Sequence, residues 1–367
     1  MAQKSKQWAA IIMMIALFAM IAFVTNLCSP MATIVKNQFG ASELAGQIGN
    51  YANFIAYLVM GIPSGMLIAK LGYKKTALLA LIVGIVGIVF EYLSGVVGSY
   101  VIYLVGAFIS GLCMCMLNTV VNPLLNVLGG GGKTGNQLIQ IGGAANSAAA
   151  VAVYILMGAL IGEVTKSTGI SDATPALIIA GVIFVIAFVI LLFTKIEEPE
   201  QAKVELSLIT GALKFRQLSL GALAIFLYMS VEVGTPTYMI SYLQTPEVGL
   251  SAGVAGLIAS VYWLMMFVGR SIGGSIGGKV SSRAMVSTVA TAAIALLLFG
   301  IFAPETMKVT VIGIDWGNLE VIYPQVPVCV LAFILVGLCT SVMWGGIFNM
   351  AVEGLGKYTA AASGIFM

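Results

Sequence analysis

The sequence contains no histidine and very little charge, and these two shortages exclude whole classes of protein. Five cysteines are present, but none forms a CxxC motif and all fall inside apolar stretches. Without histidine or paired cysteines, neither a zinc site nor a disulfide framework is indicated, so we expect no metal, cofactor or disulfide. The net charge of +3 is small and spread over loops, which gives no basis for nucleic-acid binding.

Charged residues make up 8% of the chain, against about 25% in a typical soluble domain, and hydrophobic residues make up 60%. The hydrophobic residues form ten runs, each of about the 20 residues that a helix needs to cross a bilayer core. Helices satisfy their own backbone hydrogen bonds in lipid. The sequence therefore predicts an all-α membrane protein with spans at 8–36, 44–69, 76–97, 99–128, 136–163, 173–194, 218–243, 250–276, 284–303 and 326–352.

One long polar stretch, 195–217, separates the first six runs from the other four. It predicts a linker between an N-terminal six-helix half, 1–194, and a C-terminal half, 218–367. The loops GMLIAKLGYKK, from Gly65, and GSIGGKVSSR, from Gly274, hold corresponding places in the two halves, as in transporters built from parallel repeats. On this interpretation the sequence is C-terminally truncated and lacks two helices; a complete ten-helix protein is the alternative.

Lysine and arginine predict the orientation, because cytoplasmic loops collect positive charge. With the N-terminus inside, fourteen basic residues fall on the cytoplasmic side, and only Lys36, Lys166 and Lys308 fall outside. Arg270 is counted among the fourteen as a residue near the cytoplasmic face. The distribution predicts a cytoplasmic N-terminus and a cytoplasmic linker.

Carboxylates inside the apolar runs are candidates for ion coupling, because charge at membrane depth is costly. Glu232 lies at the middle of the seventh run and must be paired, hydrated or protonated there. The structural alternative is a protonated side chain bonded to a neighbouring helix. Glu91 lies nearer the outer end of the third run, where snorkelling or a water-filled rim would be enough.

Asparagines recur in four of the runs, and two tryptophans lie away from the helix ends where interfacial tryptophans belong. Amides suit hydroxyl-rich ligands without demanding charge, and an aromatic face can stack on a sugar ring. Interhelical hydrogen bonding and ordinary packing are the alternatives. The candidate substrate-binding residues are Asn26, Asn118, Asn122, Asn146, Glu232, Trp263, Trp344 and Asn349.

Several segments resemble one known family. The loop from Gly65 resembles the glycine and basic-residue signature of the major facilitator superfamily, with Ala69 where many members have aspartate. LNTVVNPLLNVLG, from Leu117 to Gly129, is similar to the ETAANPFVTVLG type segment of its fucose, galactose and glucose:proton symporter family. LYMSVEVGTPTYMISYL and SVMWGGIFNMAVEGLGKYTAAAS resemble two further segments of that family. The resemblance spans most of the chain and implies two six-helix halves that carry a sugar by alternating access.

Departures from that family fall on residues that matter for its function, among them two acids proposed to couple protons. Ser29 and Asn118 stand where the family has membrane-embedded acids, Gly143 stands where it has glutamine, and Gly345-Gly346 replaces a Pro-Thr pair. Coupling would then fall to Glu232, and the resemblance favours a proton as the ion. If the ion is sodium, Glu232, Ser29 and backbone carbonyls would supply the oxygen ligands that a hard cation prefers. Proton symport, sodium symport and uncoupled facilitation all stay open.

The basic loops hold the predicted conformational-gating residues. The simplest interpretation is that their charges set the topology; pairing with helix ends, which would hold one state of the cycle, is a secondary role. The predicted gating residues are Gly65, Lys70, Gly72, Lys74, Lys279 and Arg283.

Together these features predict a secondary transporter, not an enzyme, that imports a neutral hexose or related sugar across a bacterial inner membrane. Its expected partners are the sugar, a proton or sodium ion and the lipid bilayer, and we expect a monomer. Efflux of another small solute and a non-transporting sugar sensor are the alternatives. The amide set argues against efflux, and no long soluble domain of the kind that favours a sensor is seen in the sequence.

Overall fold

The computed structural model describes residues 7–129, 132–162, 164–165, 167–198, 211–276 and 280–352, together with 355, 358, 362, 365 and 366. Within these ranges the side chains at 29, 43, 69, 126, 132–137, 349 and 352 are not described. Ten helical segments of this part of the chain are long and apolar enough to cross a membrane. The predicted all-α membrane fold is confirmed.

Six long helices make up the first part of the chain, and each begins and ends within a few residues of its predicted span. A short 3-10 helix, Ile170–Ala173, precedes the sixth. Ser42 and Ser99 cap the second and fourth helices through their hydroxyl oxygens. The six are α1 (Trp8–Phe39), α2 (Glu43–Leu71), α3 (Tyr73–Val97), α4 (Tyr100–Leu128), α5 (Gly132–Ile161) and α6 (Thr174–Phe193).

The core of this part lies where α1 packs on α5 and where α2 and α3 pack on α4. Met14, Leu17 and Leu117 are fully buried in it. The outward faces are also apolar: Leu58, for example, exposes 85% of its surface. Long helices with apolar residues on both faces fit a lipid environment, because water would penalise that much exposed apolar surface.

Five helices follow in the described residues of the second part of the chain. The tenth predicted span is confirmed as a candidate membrane span, but it begins later than predicted and is interrupted. Residues 326 and 327 belong to a strand, and the helix breaks at a turn formed by Ser341 and Val342. The break packs on α8, where methyl groups at Gly269 and Gly273 would overlap these two side chains. The helices are α7 (Arg216–Leu243), α8 (Ala252–Ile276), α9 (Ser282–Phe302), α10 (Cys329–Thr340) and α11 (Met343–Val352).

A β-hairpin that the sequence did not predict connects α9 to α10. Strand β1 (Lys308–Thr310) pairs with β4 (Gln325–Pro327), and β2 (Gly313–Asp315) pairs with β3 (Glu320–Ile322), both antiparallel. Strands of three residues are too short to show the alternation that identifies a strand in a sequence. We call the end of the bundle that carries this hairpin the hairpin end.

Helix α5 packs against α8 and joins the first six helices to the later ones. Near the end opposite the hairpin, the Gln140 side chain of α5 lies against Gly274 of α8 and Gly345 of α11. The predicted division into halves at 195–217 stays a prediction, because 199–210 lie outside the described residues.

Candidate functional site

Glu232 is buried in the bundle and faces an arginine. Its Oε1 lies 3.6 Å from Nη2 of Arg270, and the two side chains expose only 10% and 12% of their surfaces. The Tyr228 hydroxyl, one turn earlier on α7, is buried close to the carboxylate but lies outside hydrogen-bonding geometry with any described atom. The carboxylate thus has a counter-charge within the bundle, which makes an ionised state tolerable at this depth.

Arg270 also reaches across to α5. Its Nη1 donates to the carbonyl of Gly143 at 2.6 Å and to Oγ of Ser147 at 2.9 Å. A methyl group at Gly143 would lie 3.3 Å from Cδ of Arg270, so the glycine lets the arginine approach the helix backbone. One guanidinium therefore connects α7, α8 and α5.

The sequence analysis counted Arg270 only as a residue near the cytoplasmic face and did not predict its partners. In the structure its side chain is largely enclosed, and Glu232 and α5 together satisfy its charge and donors. The signal was present in the sequence: an arginine six residues before the end of an apolar helix is expensive unless it has partners.

The amides of α4 form a second polar group. Asn118 Nδ2 donates to the Tyr57 hydroxyl of α2 at 2.8 Å, and Asn122 Nδ2 donates to the Asn118 carbonyl at 3.1 Å. The Asn122 Oδ1 atom is buried without a hydrogen-bond partner among the described residues. Thr25 Oγ1 of α1, close to the Tyr57 hydroxyl, is also unpartnered there. Buried acceptors left unpaired are costly, so this group is suited to a polar ligand.

Tyr57 and Thr25 were missed by the sequence analysis. Neither breaks the apolar pattern of its run, since tyrosine and threonine are common in membrane helices, and only the crossing of α1, α2 and α4 brings them to the amides. We refer to Thr25, Tyr57, Asn118 and Asn122 as the amide cluster.

Two other predicted amides make bonds to the backbone of α1. Asn26 Nδ2 donates to the carbonyl of Ala22, one turn earlier in the same helix, at 2.8 Å. Asn146 Nδ2 of α5 donates to the carbonyl of Phe18 at 2.9 Å. Asn146 thus ties α5 to α1. The side chains of Ser29 and Asn349 lie outside the described residues.

The two candidate tryptophans lie in different surroundings. Trp263 of α8 belongs to an apolar cluster that includes Ala22 of α1 and Ala150 of α5, and its Nε1 is buried without a partner among the described residues. Trp344 of α11 stacks on Phe348, with ring centroids 5.5 Å apart and planes at 7°. Trp263 therefore lies between the first and second parts of the chain, whereas one face of Trp344 is covered by its own helix.

Glu91 departs from its predicted place at a rim. The structure buries it between α3 and α4, where its Oε1 accepts a hydrogen bond from Ser110 Oγ at 2.9 Å. Gly87 and Gly106 allow these helices to come together, because a methyl group at either would clash with the facing helix. Glu91 is a second buried carboxylate, separate from the Arg270 pair.

The predicted gating loop after α2 is tied to residues that follow α6. Glu198 accepts hydrogen bonds from the backbone N–H groups of Tyr73 and Lys74, at 2.8 and 3.0 Å, and so caps the start of α3. Gly72, with φ at 88°, makes the turn and leaves room for that carboxylate. Lys74 Nζ donates to the Leu192 carbonyl at the end of α6.

The other predicted gating residues are less informative. Lys70 and Arg283 are exposed, and Gly65 has no atom within 4 Å of the place a methyl group would take. Lys279 lies outside the described residues. Gating by these residues stays a prediction.

Comparison with known proteins places these features in context. The family model of the Major Facilitator Superfamily matches residues 13–367. The glucose/galactose transporter of Brucella abortus biovar 1 (strain 9-941) is 24% identical over 356 residues, which cover 95% of this chain and 81% of that protein. The L-fucose-proton symporter of Escherichia coli (strain K12) is 22% identical over 337 residues, covering 85% of this chain and 77% of the symporter. The resemblance predicted from the sequence is confirmed.

Solved structures agree on the fold. The crystal structure of a Major Facilitator Superfamily transporter, FucP, in the outward conformation matches with a TM-score of 0.75 at 20% identity, over 99% of this chain and 88% of FucP. A crystal structure of the nucleoside transporter NupG matches with a TM-score of 0.64 at 13% identity, over 99% of this chain and 87% of NupG.

Proposed function

Because the chain belongs to the Major Facilitator Superfamily, an integral membrane family of transporters and not of enzymes, we propose that it imports a neutral hexose or a related sugar. The import crosses a bacterial inner membrane, with the N-terminus in the cytoplasm, by rocking of two helical halves about a central site. The relatives named as glucose/galactose transporters and as an L-fucose-proton symporter support the sugar class.

The amide cluster is the observation that carries the sugar proposal. It offers neutral donors and acceptors from three helices, and the Asn122 Oδ1 is left without a partner among the described residues. A sugar hydroxyl both donates and accepts, so it could satisfy this oxygen without introducing charge. An anionic or cationic solute would instead require a counter-charge that the cluster lacks.

Coupling is proposed to act through the competition for Arg270. The ion pair to Glu232 is long, at 3.6 Å, while the bonds to α5 are at 2.6 and 2.9 Å. Protonation of Glu232 would remove the attraction towards α7 and leave α5 as the main partner of the guanidinium. Proton loading would therefore strengthen the contact between α5 and α8 at that level of the bundle, and proton release would weaken it.

Uncoupled facilitation is the second candidate, and the same pair favours it. A standing counter-charge at Arg270 lets Glu232 stay ionised throughout the cycle. The carboxylate would then be structural, and the sugar gradient alone would drive transport.

Uptake of labelled hexoses into vesicles separates these candidates. The purified protein is reconstituted, and uptake is measured with a proton gradient, a sodium gradient or no ion gradient, for the native chain and Glu232→Gln. Accumulation that follows one ion and disappears in Glu232→Gln is expected. Glu91→Gln is the matched control, because this second buried carboxylate is bonded to Ser110 and not to Arg270.

Equilibration of hexose without accumulation in the native protein would support the facilitator instead. No uptake of any hexose or related sugar would reject the sugar assignment and leave the family and the fold. Loss of accumulation in Glu91→Gln but not in Glu232→Gln would move coupling to the other carboxylate.

A further inference from the structure

The β-hairpin between α9 and α10 ends in a well-built turn that presents Trp316. Asp315 Oδ1 accepts a hydrogen bond from the N–H of Gly317, and its Oδ2 accepts one from Asn318 Nδ2, both at 2.9 Å. Leu319 closes the turn with a positive φ of 55°. Strand β2 rests on the start of α8, where a methyl group at Gly313 would lie 3.1 Å from Val254. These contacts fix the direction in which the turn projects.

The Trp316 indole occupies a gap between α5 and α8. A methyl group at Gly158 of α5 would overlap Cε2 of the indole, and one at Gly253 of α8 would lie 2.5 Å from its Cδ1. Both positions must therefore be glycine for the ring to fit. The indole thus wedges between a helix of the first six and a helix of the later ones, at the hairpin end.

A small cavity between α1, α5, α7 and α8 adjoins the seat of the indole, because Gly158 and Gly253 line both. The cavity has a volume of about 40 Å³, and Ile34, Gly158 and Gly253 are among its lining residues. Trp316 Nε1 is buried without a hydrogen-bond partner among the described residues. An unpaired buried donor is unfavourable, and it would regain a partner if the indole moved out to water. The seated position therefore lacks a hydrogen bond that the ring would gain outside the interface.

The α5–α8 interface is held at two levels by chemically different contacts. Arg270 ties the helices by hydrogen bonds on the side away from the hairpin, and Trp316 fills the interface at the hairpin end. Two halves that rock about a central site must separate at one end in each state, so one of the two ties must give way.

We propose that Trp316 is a gating residue: its indole closes the hairpin end of the α5–α8 interface and withdraws when that end opens. The proposal rests on transport by alternating access, which is part of the proposed function. It assigns a role in the cycle to a connection that carries none of the predicted gating residues.

Accessibility of a cysteine at Ile34 tests the proposal without any substrate. Ile34 is fully buried and lines the cavity that includes Gly158 and Gly253, and all five native cysteines are buried, so the background labelling is low. The labelling rate of Ile34→Cys with a membrane-impermeant maleimide is measured alone and combined with Trp316→Ala, Gly158→Ala or Gly253→Ala. Each second change removes the wedge or its seat and is expected to raise the rate about tenfold, through a shift of population to the open state.

Two matched changes are the controls. Gly181→Ala adds a methyl group to α6 where the nearest atom is 3.8 Å away, and Tyr323→Ala removes a ring from the exposed face of the same hairpin. Both should leave labelling at the parent rate. Monodispersity of every variant in detergent shows that it has folded.

Unchanged labelling in all three wedge variants, or an equal rise in the two controls, would show that Trp316 is not a gating residue. Hexose uptake measured on the same vesicles keeps the two proposals apart. Raised labelling together with absent sugar uptake in the native chain would retain the gate and reject the sugar. Normal sugar uptake with unchanged labelling would reject the gate and retain the sugar.

Discussion

Arg270 Nη2 lies 3.6 Å from Glu232 Oε1 inside the helical bundle, while Nη1 of the same guanidinium donates to the Gly143 carbonyl of α5. The pair joins α7 to α8, and the second nitrogen joins both to a helix of the first six. A single proton on Glu232 would neutralise the charge pair and leave the uncharged groups of α5 as the main partners of Arg270.

Removing Glu232 and removing Arg270 should lower the stability of the protein by different amounts. Glu232→Gln leaves a buried guanidinium that cannot lose its proton, and we expect the free energy of unfolding to fall by up to about 3 kcal/mol. Arg270→Gln should cost less below neutral pH, because the orphaned carboxyl can take up a proton. Thermal unfolding in detergent measures both. The double variant should recover most of the loss, and a double variant less stable than either single one would contradict the pairing.

The pH dependence of uptake should depend on Glu232. If its carboxyl must take a proton from outside, uptake by the native protein falls as the external pH rises. Glu232→Gln stays neutral at every pH, so its sugar exchange should be flat between about pH 5 and 8. The folded double variant Glu232→Gln, Arg270→Gln should be equally flat, and Glu91→Gln should keep the native slope. A pH slope that survives in both Glu232 variants would assign coupling to another group.

The amide cluster should determine sugar affinity. Asn122→Ala removes the unpartnered Oδ1, and the loss of one neutral hydrogen bond of about 0.5–1.5 kcal/mol predicts roughly two- to tenfold weaker binding. Tyr57→Phe should act in the same direction by freeing Asn118. Sugar-dependent quenching of tryptophan fluorescence or equilibrium dialysis gives the dissociation constants. Asn37→Ala is the control, because Asn37 lies at the end of α1 and its amide donates to the Thr165 carbonyl, away from the amide cluster. An equal loss of affinity in Asn37→Ala would reject sugar binding by the amide cluster.

The break between α10 and α11 should depend on one glycine of α8. A methyl group at Gly269 would overlap Ser341 Oγ and lie 2.8 Å from the Leu338 carbonyl, so Gly269→Ala should cost about 1–3 kcal/mol of stability. Gly274→Ala is the matched control on the same helix, where the nearest atom is 3.6 Å away, and it should be close to neutral. Thermal unfolding compares the two. Equal loss in both variants would indicate a general effect of glycine replacement on α8.

The membrane class and the ten spans follow from local properties of the sequence. Length and hydropathy set the spans, and these are read within windows of about 20 residues. The tenth span is also present, but the sequence did not indicate that its helix is interrupted at Ser341 and Val342, because its apolar composition continues through the break. That break is decided by contact with Gly269 and Gly273 of another helix, which no local window contains.

The site divides in the same way. The sequence by itself identified Glu232 and the asparagines as polar groups at membrane depth, because their cost in lipid depends only on position along a span. It did not reveal that Arg270 pairs with Glu232, that Tyr57 joins Asn118, or that Trp316 fits between Gly158 and Gly253. These relationships depend on the tilt and rotation of helices far apart in the chain, and packing sets both, so only the tertiary structure decided them.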